Sequence, residues 1–355
     1  MRASLDSRFA NLRPNARACC RGSSLAKRLV FIVSAVALVT MSALAAENSF
    51  LGCWALTIPG GGAGWLGVTE DGAQLKGSIL WGGGSVGPVA SVKVEGDTLI
   101  VTRVNESRQN DADGKTVVKK TTETITARLD GDNMKLTTST AGDDGKARGH
   151  ADFTGKRIPP VPPAPDVARV KFGEPISLFN GKDLSGWKTM GTDPSAWKVV
   201  DGVLSNEAVQ EPGKHKSYAN IRTEREFEDF NIQLEFRVPT NGNSGVYLRG
   251  VYEVQVANSF GRRNDSHNCG ALYSRIMPSE NASKPPGEWQ TFDITLVDRH
   301  LTVIHNGRKT IDNQPVLGCT GGALWSDEFR PGPIYLQGDH TSVDYRNIVL
   351  RPVLK

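Results

Sequence analysis

From about Pro175 onward the chain sustains no helical apolar repeat, which obliges it to bury its core with sheets alone. Its apolar residues fall instead in short alternating runs, among them Asn231 to Val238, Gly245 to Arg249, Tyr252 to Ala257, Thr291 to Val297, Leu301 to His305, Ile334 to Gln337 and Ser342 to Arg351. Gly, Asn, Asp and Pro punctuate these runs, as turns between strands require. Roughly 180 residues patterned this way predict two stacked sheets, a β-sandwich of jelly-roll type.

A second all-β region precedes it. Between Ser49 and Arg157 the runs WLGVT, QLKGSILW, TLIVTRV, TETITARL, NMKLTTS and ADFTGKR are broken by Gly, Asp and Asn, and predict a small antiparallel β-barrel or β-sandwich. Gly52-Cys53-Trp54 is similar to the GxW opening of lipocalin-like barrels; the rival reading is an ordinary buried tryptophan in a first strand. Gly60–Gly62 and Gly82–Gly84 lack a following Lys-Ser/Thr and open no helix, so they read as turns rather than phosphate loops. Ile158 to Asp166, IPPVPPAPD, favours extended polyproline geometry and reads as a semi-rigid spacer. The expected organisation is a β domain over 47–157, a linker over 158–173 and a larger β domain over 174–355.

The first 46 residues have another character. Residues 1 to about 28 are rich in Arg and Lys, Leu29 to Ala45 is apolar without a charge, and the stretch ends in Ala43-Leu44-Ala45. That is the layout of a secretory signal peptide, and its apolar run falls short of the roughly 20 residues a membrane-spanning helix prefers. Removing residues 1–46 takes away seven basic residues and Asp6, so the formal charge falls from +4 to −2. The basicity therefore belongs to the export segment. The mature protein, expected in the periplasm or outside the cell, is expected to bind no nucleic acid and to keep no membrane span. It retains Cys53, Cys269 and Cys319. An oxidising compartment allows one disulfide, Cys269 to Cys319, against the alternative of three free thiols. No CxxC, HExxH or zinc-spaced Cys/His set occurs.

Chemistry-bearing side chains gather in two of the runs. In YEVQVA, residues 252–257, strand alternation turns Tyr252, Val254 and Val256 toward a core and sets Glu253 and Gln255 together on the other face. In GPIYLQGDH, residues 332–340, Ile334 and Leu336 are apolar, and Gln337, Asp339 and His340 follow where the strand pattern ends. A carboxyl, amides and an imidazole suit sugar hydroxyls and proton transfer. The plainer alternatives are a solvated strand face for Glu253 and Gln255 and a loop hydrogen bond between Asp339 and His340.

Six motifs stand in consistent order: LFNGKDLSGW from Leu178, NSGVYLR from Asn243, YEVQ from Tyr252, PGEW from Pro286, GPIYLQGDH from Gly332 and YRNI from Tyr345. Together they resemble the 3-keto-disaccharide hydrolase family over about Pro175 to Pro352. The resemblance implies a concanavalin A-like jelly roll, export, and action on glycosides whose ring already carries a ketone at C3. Such a ketone acidifies the C2 proton, because the carbanion is delocalised as an enolate. Departure of the C1 oxygen substituent and addition of water then complete the cleavage. This route needs a base near C2, a donor or cation at the C3 oxygen and an acid near the leaving oxygen. It needs no pair of opposed carboxylates of the ordinary glycosidase kind.

On this reading His340 is the preferred base or proton shuttle, Asp339 orients it or stands in for it, and Glu253 is the other proton-transfer group. Arg249 stabilises the enolate, Gln255 and Gln337 hold ring hydroxyls, and Trp289 or Tyr273 offers an apolar platform to a sugar face. A divalent cation held by Glu253, Asp339 or His340 would serve the enolate equally well. A two-residue loop at Gly250-Val251 pairs Arg249 with Tyr252, whereas a three-residue bulged loop aligns it with Glu253. The competing functions are a noncatalytic glycan-binding module on the same scaffold and a structural surface protein. A shielded acid or base in a cleft favours the enzyme; a shallow groove lined with Trp and Asn favours the binding module.

Overall fold

The computed structural model describes residues 48–354 except 111–114, 143–144, 212 and 215. The expected signal segment lies outside the described residues. Within them the secondary structure is strand and turn throughout, apart from one 3-10 turn at Val167–Arg169.

The N-terminal strands form a single nine-stranded antiparallel sheet. Its first strand, Gly52–Thr57, is central, paired on one side with Gly64–Asp71 and on the other with Ala147–Ile158. The two edges are Gly83–Pro88 and Ser91–Glu95. The sheet curls until the link between these edges bridges its interior strands. The Val89 N–H donates to the Gly77 carbonyl (3.0 Å) and the Ala90 N–H to the Thr102 carbonyl (2.8 Å). Among the described residues no strand ladder pairs the two edges with each other, and the link between them draws the curl together through these two hydrogen bonds.

Alternation puts Trp54, Leu56, Leu66, Leu99, Ile125 and Leu136 inside the curl. Trp54 is wholly buried, donates its indole N–H to the Phe50 carbonyl (3.0 Å), and carries the Arg157 guanidinium over its ring at 4.1 Å. Trp54→Ala empties the centre of this core and is expected to cost about 3–5 kcal/mol in chemical denaturation.

The C-terminal strands form two further sheets, one of eight strands and one of five. Inward-facing Phe230, Leu234, Phe236, Phe292, Ile294 and Val303 of the larger sheet share one apolar cluster with Val246, Leu248, Val254, Val256 and Leu336 of the smaller. This is the expected β-sandwich, all antiparallel. In the five-stranded sheet Tyr335–Leu336 lies between Ile221–Thr223 and Asn243–Leu248, and Tyr252–Ala257 follows Asn243–Leu248. The two runs singled out in the sequence are thus one strand apart in one sheet.

The proline-rich run is held at two points: Arg299 donates to the Pro159 carbonyl (2.9 Å) and Asn313 to the Pro165 carbonyl (2.8 Å). Of the two alternatives for the cysteines, the structure has the three free thiols and no Cys269–Cys319 disulfide. Cys269 lies 4.0 Å from His305 Nε2 and Cys319 lies 4.0 Å from the Gly64 carbonyl, and burial pushes both thiols up to about 12. Among the described residues no helix is long and apolar enough to cross a membrane.

Candidate functional site

The site is built by cross-strand register. Tyr247 pairs with Glu253 on one side and with Tyr335 on the other, and Tyr335 pairs with Arg222. Directly paired residues share a sheet face, so Arg222, Tyr335, Tyr247 and Glu253 form one row. In the next row Gly245 pairs with Gln255, and the Gln337 N–H donates to the Gly245 carbonyl (3.0 Å). The opposite face of the same strands, Tyr252, Val254, Val256, Val246 and Leu336, packs the sandwich core. The parity read from YEVQVA and GPIYLQGDH holds in both strands.

The face bearing Glu253 is not a solvated one. Glu253 is 3% exposed, Gln255 5%, Tyr247 1% and Tyr335 3%. The segment Thr320–Gly322 covers the row: the Thr320 hydroxyl accepts from the Glu253 N–H (2.9 Å), and the Gly321 carbonyl lies 2.6 Å from the Tyr247 hydroxyl. The same hydroxyl lies 2.8 Å from Glu253 Oε2. The ring of Tyr247 stacks on Tyr335 with centroids 4.1 Å apart. Glycine at 245 makes room for this, since a Cβ there would overlap Glu253 Oε1.

Burial is the largest influence on the Glu253 carboxyl and raises it to about 8; the Tyr247 hydroxyl opposes that rise, and the Asp339 charge adds to it. Asp339 and His340 sit where the row opens to solvent, their side chains 30% and 40% exposed and 3.4 Å apart. Gln337 Oε1 and Gln255 Oε1 are buried oxygens with no hydrogen-bond partner among the described residues, and the buried Asp339 Oδ1 has the His340 Nδ1 contact at 3.4 Å. Gln255 Nε2 donates to Asn243 Oδ1 (2.9 Å), and Asn220 joins Tyr335 to the Gly338 N–H. Orphaned buried acceptors call for an explanation, and here two amide oxygens stand in the row next to a raised carboxyl.

Tyr273 continues the row beyond Glu253. Its N–H donates to the Glu253 carbonyl (3.0 Å), Val254 forms a bridge with Leu272, and its ring meets the edge of His267 at 5.0 Å. Two other expected site residues lie elsewhere. Leu248 pairs with Tyr252, leaving Arg249, Gly250 and Val251 as the turn, with Arg249 at φ 56°. Neither expected loop register applies, because Arg249 belongs to the turn itself. Its buried guanidinium donates to the Glu328 and Arg330 carbonyls, which ties down a loop rather than facing Glu253. Trp289 adjoins the eight-stranded sheet, with the guanidinium groups of Arg237 and Arg346 over its ring at 4.8 and 3.9 Å. Those cations occupy the face a sugar would need.

Glu253, Asp339 and His340 form no metal-binding cluster, and no group of three or more His, Cys, Asp or Glu gathers for one ion among the described residues. Tyr247, Tyr335 and Arg222 carried no role in the sequence reading. The signal for the tyrosines was available: both alternate against apolar neighbours, so parity sets them on the Glu253 side.

Residues 174–351 match the family model described as 3-keto-alpha-glucoside-1,2-lyase-like domain. A curated 3-keto-disaccharide hydrolase of Bacteroides thetaiotaomicron is 26% identical over 164 residues, 37% of this chain, and this chain spans about half, 54%, of that relative's length. A solved structure from Parabacteroides distasonis ATCC 8503, assigned as a glycosyl hydrolase, is 32% identical, aligned over 56% of this chain and 94% of that one with a TM-score of 0.41. A second such structure from the same organism is 25% identical over 51% of this chain and 100% of its own, at TM-score 0.39. With half of its length matched, the chain belongs to the 3-keto-alpha-glucoside-1,2-lyase-like domain family.

Proposed function

We propose that this protein cleaves 3-keto-glycosides by elimination and hydration, with Glu253 as the group that takes the C2 proton. The observation that carries the reading is the buried Glu253 carboxyl facing the same side as the unpaired amide oxygens of Gln255 and Gln337, with the Asp339–His340 pair beside them. A carboxyl raised toward 8 is a stronger base, once ionised, than an ordinary one, and a C–H next to a ketone needs that strength. A module that only bound sugar would gain nothing from a carboxyl held this dry.

Glu253 takes the proton from C2, the electron pair moves into the C2–C3 bond, and the C3 oxygen carries the enolate charge. The pair returns as the C1–O bond breaks, and the leaving oxygen takes a proton from His340, which Asp339 orients. Water adds across the C1–C2 double bond: its hydroxyl goes to C1, its other proton restores His340, and the proton held by Glu253 returns to C2, giving the free 3-keto sugar. Arg222, at the far end of the Glu253 row and 3.7 Å from Glu226, is the cation on that face, where Arg249 is not. Gln255 and Gln337 accept ring hydroxyls. Residues 1–46 add export to this proposal.

The test is release of aglycone from a 3-keto-glucoside and from the same glucoside unoxidised, each with and without chelator. Turnover of the 3-keto sugar alone, unchanged by chelator, is the expected result. Equal turnover of both sugars would sink the elimination route.

A further inference from the structure

The N-terminal sheet has no place in that reaction, yet its hairpin end reaches the covering segment of the Glu253 row. The Gly322 N–H donates to the Gly82 carbonyl (3.4 Å), and a Cβ on Gly321 would fall on the Gly84 carbonyl oxygen. Beside this contact Ser85 Oγ lies 2.9 Å from His267 Nε2, and the Val86 N–H donates to Ser274 Oγ (3.0 Å). A second anchor is Ser326, whose hydroxyl accepts from the Gly64 N–H (2.9 Å) and donates to the Leu56 carbonyl (2.6 Å). Arg275 lies over the Trp65 ring at 4.5 Å and donates to the Cys319 carbonyl (2.7 Å), one residue before Thr320. The segment Thr320–Gly322 is therefore clasped between the Glu253 row and the N-terminal sheet.

The Tyr247 hydroxyl has one proton and two acceptors in reach, the Gly321 carbonyl at 2.6 Å and Glu253 Oε2 at 2.8 Å. When it donates to Gly321, Glu253 is left to keep a proton of its own. When Glu253 ionises, the hydroxyl must turn to the carboxylate and Gly321 loses its donor. We propose that the N-terminal β domain is a positioning element of the Glu253 site, its hairpin end fixing the Gly321 carbonyl as the acceptor that competes with Glu253 for the Tyr247 proton. The consequence for catalysis rests on Glu253 being the reactive base; the proton competition does not.

Few other groups confuse the reading. On the face of Glu253 are the Tyr247 and Tyr335 hydroxyls, Asp339 with His340 beside it, and Arg222 three strands away at the end of the row; the Tyr345 hydroxyl lies across the sheet, bonded to Ser244. Gly82–Val86 and Thr320–Gly322 contain no ionisable side chain.

The experiment titrates Glu253 in the whole protein without substrate, by the infrared carboxyl stretch, with Glu253→Gln marking its band. Gly321→Ala is compatible with the local backbone, since Gly321 lies outside the left-handed region, but it pushes the carbonyl away from Gly84. It is expected to lower the Glu253 midpoint by about half to one pH unit, because the Tyr247 proton is released to the carboxylate. Tyr247→Phe removes that donor and is expected to raise the midpoint by about one pH unit. In the double variant the Gly321 effect should vanish, the signature of two residues acting through one proton.

A purely structural clasp would lower stability and leave the midpoint in place, which would overturn the proposal, as would an undiminished Gly321 effect in the Tyr247→Phe background. Should Gly321→Ala fail to fold, Ser85→Ala with Ser326→Ala loosens the same contact without added bulk and is held to the same downward shift. Inactivity toward 3-keto sugars would remove the reaction assigned above and leave this titration standing.

Discussion

Glu253→Gln is expected to lower turnover of a 3-keto-glucoside by at least about a hundredfold, the low end for removing a general acid or base, while making the folded protein more stable at alkaline pH. The two effects have one cause. Burial holds the Glu253 carboxyl at about 8 against an ordinary value of 4.5, so the folded state resists its ionisation. A raised carboxyl contributes in full below about 4.5, and that contribution is lost as the pH climbs through about 8. By pH 9 the wild type has given up on the order of 4 kcal/mol relative to a side chain that cannot ionise. Glutamine keeps the volume and the hydrogen-bonding oxygen but carries no such penalty. Urea midpoints should therefore agree at pH 4.5 and diverge by pH 9 in favour of the variant. Parallel midpoints across this range would mean that Glu253 ionises as an ordinary surface carboxyl, and its role as the strong base would fall with it.

How much of this was legible follows from the range of the interactions involved. Alternation is local, so the inward set Tyr252, Val254 and Val256 and the outward pair Glu253 and Gln255 were readable from six residues. That Gln337 and Asp339 share the face of Glu253 depends on strand order. The Tyr335 strand lies between Ile221–Thr223 and Asn243–Leu248, partners about 90 to 115 positions away in the chain, and nothing in a local pattern encodes such a pairing.

Arg249 shows how a single turn residue misleads. The run Gly245 to Arg249 reads as strand, but pairing stops at Leu248 and the next two residues take positive φ. The guanidinium is then delivered to loop carbonyls. Trp289 looked like a platform on composition alone, and only the neighbouring strands reveal the two arginines on its ring. Glu253's burial was the least readable property, because Thr320–Gly322 and the N-terminal hairpin end approach it from distant parts of the chain.

Replacing His340 by alanine is expected to cost at least about a hundredfold with an alkyl aglycone and less than about tenfold with a nitrophenyl aglycone, since an alkoxide needs a proton to leave and a nitrophenolate does not. His340 is suited to that end of the reaction by position: it lies beside Asp339 at the solvent-facing mouth, whereas Glu253 lies deep in the row. Asp339→Asn separates the two roles further. Its charge raises the Glu253 carboxyl, so removing it should move the rising limb of the pH–rate profile to lower pH, by less than burial moves it up. His340→Ala leaves the Asp339 charge in place and should not move that limb downward. A variant pair in which both substitutions cost the same with either aglycone, and neither shifts the limb, would place His340 and Asp339 in a loop contact apart from the chemistry, with Glu253 working alone.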